Sequence, residues 1–561
     1  MNNPRIQKAW PGIFYCCRRY FLLAVLLIAA IAALSGCSQT EQRARGGDGQ
    51  LTFRFRIPGD PPGLDPIHSA DLVSQTVVNN LFDPLLRLDP ASGGLVAALA
   101  SRWSVSEDGL TFRFVIRSDA RFHNGRAVVA SDVIYSFTRL LDPASASPRP
   151  WILTPVDGAD QFRSGTADNV EGFTAEGDSV VIIRLKEPYA PFLVQLTMTA
   201  ASIVPREEVE RNGEDMFGQA PVGSGPFRFV SWQHDSRIVL ERDESAPVPD
   251  SGLAVKKLEF EVVPNISVAY EKYRAGELDL LDQLPPGHVG LVRKRIPEQL
   301  HVWPGLSVRY MGFNLTREPF ASNSRLRQAF NLAINKQAIV DVLGEGVDVT
   351  SAGAVPPGLP GHNSTLDGYP YDPERASKLL SEAGYPEGEG LPELTLLYNN
   401  DPVDRRVAVF VQACLGEIGV RLKLKNLEWA AFLAAVRAGE AGIFRGSWVG
   451  DFPDAHNFLY TLFHSSNWGD AGNYSRFSST EVDSLLDLAA RVVDMDCRAR
   501  LYCQVESVIS KETPWIFLYH PGQVALLRPE WGGAVFPSLG VWAVPMENVH
   551  LRASTESNSG D

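Results

Sequence analysis

Segments with a helical apolar stripe alternate along this chain with segments of strand character, and no fixed repeat length relates them. Leu326, Ala329, Phe330, Ala333 and Ile334 follow the 3, 4 spacing of a helix that buries one face. Asn335 is placed to cap a second helix running through Leu343, which Gly344 and Gly346 stop. Tyr371-Asp372-Pro373-Glu374 opens a third, striped by Ala376, Leu379, Leu380 and Ala383 before Gly384 and Pro386 end it. Ser478-Ser479-Thr480-Glu481 reads as a capping box ahead of Val482, Leu485, Leu486, Ala489 and Val493. A helix over 498–509 and the strand Trp515-Ile516-Phe517-Leu518-Tyr519 close the series. Nearer the start, Leu51 to Arg56 alternates as a strand ending at Pro58, a helix is predicted over 74–86, and the turn Glu107-Asp108-Gly109 leads into a strand over 111–117. Such alternation excludes a solenoid and predicts α/β bodies in which helices cover sheets.

The first 36 residues stand apart from this pattern. Arg5, Lys8, Arg18 and Arg19 occur with no acid, an apolar run from Phe21 to Ala33 follows, and Leu34-Ser35-Gly36-Cys37 comes next. A basic segment, an apolar segment and small residues in that order read as an export signal. Arg18-Arg19-Tyr20-Phe21-Leu22 loosely resembles a twin-arginine signal, and Leu34 to Cys37 resembles the bacterial lipobox, whose cysteine is acylated and becomes residue one. Residues 1–36 are therefore expected to leave, Cys37 to carry lipid, and 37–50, poor in large apolar residues, to act as a flexible tether. The alternative is an uncleaved anchor.

What remains is about 510 residues, enough for two to four domains on the usual length prior. Removing the four basic residues of the leader from a chain of net charge −14 leaves about −18, which argues against nucleic acid or an anionic lipid surface as the working partner. Past Cys37 only Cys414, Cys497 and Cys503 remain, an odd number, so any disulfide framework is thin; Cys497 and Cys503, six apart in a predicted helical segment, read as free thiols or a chance pair.

One stretch carries candidate chemistry. Arg445-Gly446-Ser447-Trp448-Val449-Gly450-Asp451-Phe452-Pro453-Asp454 places a fixed cation, an indole and a carboxylate along a glycine-spaced apolar run. As a strand it would put Arg445, Ser447, Val449 and Asp451 on one face and Gly446, Trp448 and Gly450 on the other. An extended ligand with charged ends would find there an acceptor for an ammonium, a donor for a carboxylate and main-chain partners between them. The competing reading pairs Arg445 and Asp451 inside a core, with Trp448 as filler.

A family resemblance runs through most of the chain. Leu64-Asp65-Pro66, Asn80 to Leu85, Leu99 to Phe112, Phe122-His123-Asn124-Gly125 and Ala130-Ser131-Asp132-Val133 resemble the opening signature of the peptide/nickel family of extracytoplasmic solute-binding proteins. Pro221 to Phe227, Gly276 to Asp279 with Leu284-Pro285, Tyr310 to Asn314, and Leu326 to Asn335 resemble later segments of that family in the same order. The match covers about residues 51 to 552.

The resemblance implies a periplasmic-binding-protein-like bilobal α/β fold (class II, cluster C type) with an extra inserted domain. Lobe I would comprise 51–82, 208–309 and 521–552, lobe II would be inserted at 83–207, lobe III would span 310–520, and 553–561 would be a disordered tail. It implies that Asp451 holds a ligand's α-ammonium, that Arg445 either takes a ligand carboxylate or orients Asp451, and that Trp448 belongs to the same motif. Main-chain groups from Ser447 to Val449 and around Ala70 to Leu72 would pair with a peptide backbone, and Tyr310 is a further, weaker candidate. Some oligopeptide binders of the family have a cysteine pair bridging strands near the site; the corresponding places here are Ser307 and Val449, so that disulfide is not expected.

By resemblance, then, the chain is a monomeric, lipid-anchored extracytoplasmic receptor, without cofactor or metal, that traps a peptide between closing lobes and hands it to the membrane permease of an ABC importer. Other readings stay open: a sensor or chaperone of the same fold, or a binder of a nickel chelate, haem or oligosaccharide. A hydrolase is more remote, since the sequence has no HExxH, GxSxG, P-loop or dinucleotide fingerprint. His123 beside Asn124-Gly125 reads as a turn residue, and no histidines fall at a metal-ligand spacing.

Overall fold

The computed structural model describes residues 49–249 and 252–553. The leader, Cys37, most of the tether and the tail from 554 lie outside the described residues. Three large sheets organise the rest. A seven-stranded mixed sheet runs Leu300–Pro304, Gly522–Leu527, Leu280–Leu281, Thr52–Ile57, Lys257–Val262, Arg237–Arg242, Phe227–Gln233, so it collects the beginning, middle and end of the chain. A four-stranded antiparallel sheet, Ala100–Val105, Thr111–Ile116, Val180–Arg184, Phe173–Glu176, is built wholly within one stretch. A six-stranded sheet runs Val349–Thr350, Trp515–His520, Ser307–Phe313, Ile443–Val449, Leu394–Asn399, Leu422–Leu427. Each has its own apolar core, and the six-stranded sheet has one on each face. Among the described residues no helix is long and apolar enough to cross a membrane.

Local chemistry explains most element ends. Asn335 caps Lys336–Leu343 by accepting from Ala338 N at 2.9 Å, and Asp372 caps Pro373–Glu382 with proline in the first turn. Several boundaries differ from the sequence reading; the helix expected over 498–509, for one, runs Met495–Glu512. The helix predicted over 74–86 runs Leu72–Leu81, capped by Asp71 accepting from Ser74 N at 2.9 Å, and it stops because Phe82 turns extended ahead of Asp83-Pro84. The cap of Thr480–Arg491 is Ser479, one residue past the expected one, so Glu481 does not close a capping box. The strand carrying the candidate stretch ends at Val449, and Asp451 sits in the bend that follows, off the strand face assigned to it.

The glycine turn Pro221 to Phe227 shows why glycine is required there. A Cβ on Gly223 would lie 1.8 Å from Leu81 O, and Gly225 N donates to that same carbonyl at 2.9 Å. His123 fastens this turn: Gly223 N donates to its Nδ1 at 3.2 Å and its Nε2 donates to Gly225 O at 2.9 Å. That bonding needs the neutral ring, and burial pushes the His123 pKa down accordingly. Cys414, Cys497 and Cys503 are free thiols.

Candidate functional site

Between the three sheets lies a cavity of about 730 Å³. Its walls come from the start of helix Leu72–Leu81, the loop after Pro84, Arg149, the segment after Val449, helix Met495–Glu512 and residues 536–547. Phe82, Trp303, Phe452, Tyr502, Phe536 and Trp542 give it an aromatic lining, with Trp303 and Phe536 stacked at 4.8 Å. Apolar walls with a few placed polar groups suit a small organic ligand.

Strand Ile443–Val449 reaches this cavity with an open edge. It pairs along its length with Ser307–Phe313, whereas on its other side Leu394–Asn399 covers only Ile443 and Phe444. Gly450 N donates to Leu306 O at 2.8 Å, and main-chain groups alternate in direction along a strand, so the N–H and C=O of Ser447 and Val449 point to the uncovered side. Val449 is 52% exposed and lines the cavity, as does Leu72, itself 53% exposed, on the facing wall. An extended chain could add to that edge through main-chain hydrogen bonds.

Asp451 lies just past the edge. Its backbone N–H donates to Asn457 Oδ1 at 3.0 Å, and Trp448 Nε1 donates to the same oxygen at 3.0 Å. One buried amide thus fixes the carboxylate-bearing bend and the indole together. Trp448 packs into the core behind the sheet and does not line the cavity, so it supports the site from the rear. The Asp451 carboxylate receives Arg149 Nη1 at 2.8 Å, with side chains 27% and 14% exposed.

Arg445 and Tyr310 are placed elsewhere. The Arg445 guanidinium is buried on the other face of the sheet from Trp448, donating to the carbonyls of Tyr310 (3.0 Å) and Gly446, with Nε 3.1 Å from Asp404. Tyr310 is fully buried, stacked on Trp515 with ring centroids 3.3 Å apart, and burial holds its phenol well above the usual range. Neither lines the cavity. Ser307 stands directly across from Val449, so the position that resembles the family's bridging pair is indeed a cross-strand pair, without sulfur on either side.

The arginines on the wall are paired, while Asp89 lines it with hydrogen bonds from Ser92. Arg87 meets Asp83 and Glu547 (2.6 Å to the latter), Arg498 meets Asp454 at 2.7 Å, and Arg149 meets Asp451. Burial raises the Asp454 pKa against the pull of Arg498. The cavity therefore presents aromatic surface, one strand edge and balanced ion pairs. Arg149, Asn457 and Phe452 have no counterpart in the sequence reading. Phe452, 2% exposed, inserts into the core of the four-stranded-sheet body, with Trp151 at 6.3 Å. Its sequence signal, an aromatic directly after the candidate aspartate, was present but says nothing about which core receives it. No group of three or more His, Cys, Asp or Glu that would hold a metal occurs among the described residues.

Comparison with known proteins places this architecture. The family model for bacterial extracellular solute-binding proteins, family 5, matches residues 94–470. Heme-binding protein A of Haemophilus influenzae is 31% identical, the match covering 92% of this chain and 96% of that protein. A probable di/tripeptide-binding protein of Pseudomonas aeruginosa is 30% identical over 91% and 95% of the two chains. Among solved structures, the periplasmic murein tripeptide binding protein MppA in an unliganded open form superposes with a TM-score of 0.76 at 26% identity, covering 90% of this chain and 97% of its own. The periplasmic binding protein DppA of Helicobacter pylori, in complex with the peptide STSA, gives 0.72 at 28% identity over 92% and 100%.

Proposed function

Since the chain belongs to family 5 of the bacterial extracellular solute-binding proteins, we propose that it captures short peptides outside the cytoplasm and delivers them to the permease of an ABC importer. The observation that carries this reading is the open strand edge that ends at Val449 beside the Asp451 carboxylate, both lining a cavity of about 730 Å³; Ser447, on the same edge, does not line it. A peptide laid along the edge exchanges main-chain hydrogen bonds whatever its side chains, and the aromatic walls take those side chains without demanding a sequence. Asp451 receives the α-ammonium; Leu72 and the carbonyl of Ala70 flank it from the facing wall. Arg445, Trp448 and Tyr310 act from within the sheet: Trp448 through the shared Asn457, Arg445 and Tyr310 by bracing the strand that carries the edge.

In this proposal the three sheet-centred bodies work as lobes, the seven-stranded body and the six-stranded body shutting on the ligand. Two chain passages join them, after Pro304 and after His520, and His520 Nδ1 lies 2.9 Å from Ser307 O between those passages. The ligand favours the shut state because it touches both walls. The protein works as a monomer, held at the membrane by lipid on Cys37 with the export signal removed. Relatives of this chain include named haem, dipeptide, oligopeptide and deoxycholate binders, so the cargo is the point to test. Mass spectrometry of small molecules released from the purified secreted form decides it. A ladder of short peptides supports the proposal; recovery of haem, a bile acid or a metal chelate instead rejects it.

A further inference from the structure

We infer that Arg149 is an internal occupant of the ammonium subsite, and that the need to displace it makes the site selective for ligands with a free cationic amino end. The inference rests on the peptide reading above and deepens it at the same site.

Arg149 comes from the body with the four-stranded sheet, just before the short turn Pro150–Ile152. Its Nη1 donates to Asp451 Oδ1 at 2.8 Å and its Nη2 donates to Ala70 O at 3.2 Å. These two acceptors stand on opposite walls, one after the open strand edge and one just before helix Leu72–Leu81. They are the pair between which a ligand ammonium at Asp451 would sit. A guanidinium and an ammonium are both cationic donors, so an ammonium brought to Asp451 Oδ1 and Ala70 O competes with Arg149 for the same acceptors and is repelled by its charge.

The arginine's pose is incomplete. Arg149 Nε is buried without a hydrogen-bond partner, although both terminal nitrogens are used. Burying an N–H away from water without a partner opposes the ion pair and makes it easier to exchange. Elsewhere in the molecule, Arg139 sets two nitrogens against the two oxygens of Asp65, at 3.0 and 2.5 Å, as a fully formed fork. The other charged pairs of the cavity wall, Arg87 with Glu547 and Arg498 with Asp454, engage their own carboxylates. A ligand with a cationic end can therefore replace Arg149 and leave Asp451 neutralised. A ligand with an acylated end cannot: either Arg149 stays and fills the subsite, or Asp451 is left without a counter-charge.

Calorimetric titration of the intact protein with tri-alanine and with N-acetyl-tri-alanine tests this, comparing wild type, Arg149→Ala and Arg149→Lys. Arg149→Ala is expected to bind tri-alanine about three- to tenfold tighter, because every subsite is then vacant before ligand arrives. N-acetyl-tri-alanine gains nothing. Arg149→Lys falls between, since one ammonium does not span both acceptors as the planar fork does. Weaker binding of both peptides by a normally melting Arg149→Ala protein overturns the inference, because Arg149 would then be a ligand contact; unchanged affinities overturn it as well. Should Arg149→Ala melt early, Arg149→Gln is read through the ratio of the two peptide affinities, which a loosened fold leaves alone, and an unchanged ratio again overturns it. Absence of peptide binding in every form rejects both this inference and the peptide reading. Wild-type binding that no variant strengthens rejects the inference only.

Discussion

Truncating Phe452 to alanine removes a ring that the loop after strand Ile443–Val449 sends into a different body's core. Phe452 is 2% exposed there, among residues from 67 to 203, and Trp151 lies 6.3 Å away. Within a single body such a truncation would register mainly as lost stability. In the proposed closure, with the four-stranded body moving together with the seven-stranded one, the ring is buried only in the shut state, so its burial counts toward closure. Full burial of a phenylalanine side chain contributes about 1.5–3 kcal/mol. Taking about 2 kcal/mol, the shut state becomes roughly 30-fold harder to reach, and ligand affinity falls by the same factor. The loss is expected to be equal for tri-alanine and N-acetyl-tri-alanine, because the ring does not read the ligand's end. Calorimetric titration gives the affinities. Unchanged affinity for both peptides, with only a lowered melting temperature, would refute the link between this ring and closure.

Asp451→Ala should weaken tri-alanine by tenfold or more, on the order of 1.4 kcal/mol, and affect the acetylated peptide far less; equal affinities for wild type and variant would remove Asp451 from the site. Gly446→Ala sets a Cβ 2.3 Å from the Tyr310 ring, which is clamped on Trp515, so a loss of about 1–3 kcal/mol is expected in denaturant melts. An unaltered melt would mean that the stack relaxes freely. Buried His456 has its pKa pushed down to about 3 by burial and then by the charges of Arg498 and His464. The unfolded chain binds that proton near pH 6.5 and the folded one does not, so this group's stabilisation is whole above about 6.5 and is lost as pH falls toward 3. Between pH 6.5 and 5 that amounts to about 2 kcal/mol, and His456→Phe, which keeps the stack on Tyr460, should remove that part of the slope in urea midpoints.

Much of the architecture was legible because it follows from local rules. The stripe from Leu326, the asparagine cap at 335 and the proline-opened helix at 373 concern neighbours within one or two turns, and the chain states them outright. The misplaced ends have local causes of their own. Two serines compete to cap at 478 and 479, and the pull of Asp83-Pro84 on Phe82 outweighs the apolar run that suggested a longer helix. The candidate site was legible as composition and only partly as geometry. Arg445 is close to Asp451 in sequence, yet its guanidinium is taken by two carbonyls and Asp404 on another face.

The sequence by itself determined that the chain alternates helices and strands in α/β bodies and that Asp451 follows a glycine-spaced strand. Each of these depends on residue type and short spacing. Tertiary structure alone decided that the strand edge is bare from Ser447, that Asn457 ties Trp448 to the bend, and that Arg149, 302 positions away in the chain, reaches Asp451. Those outcomes depend on which surfaces remain once three sheets have packed. An arginine or a phenylalanine carries the same local preferences whether it meets its own core or another body's, so only the packed arrangement distinguishes a filler from a latch.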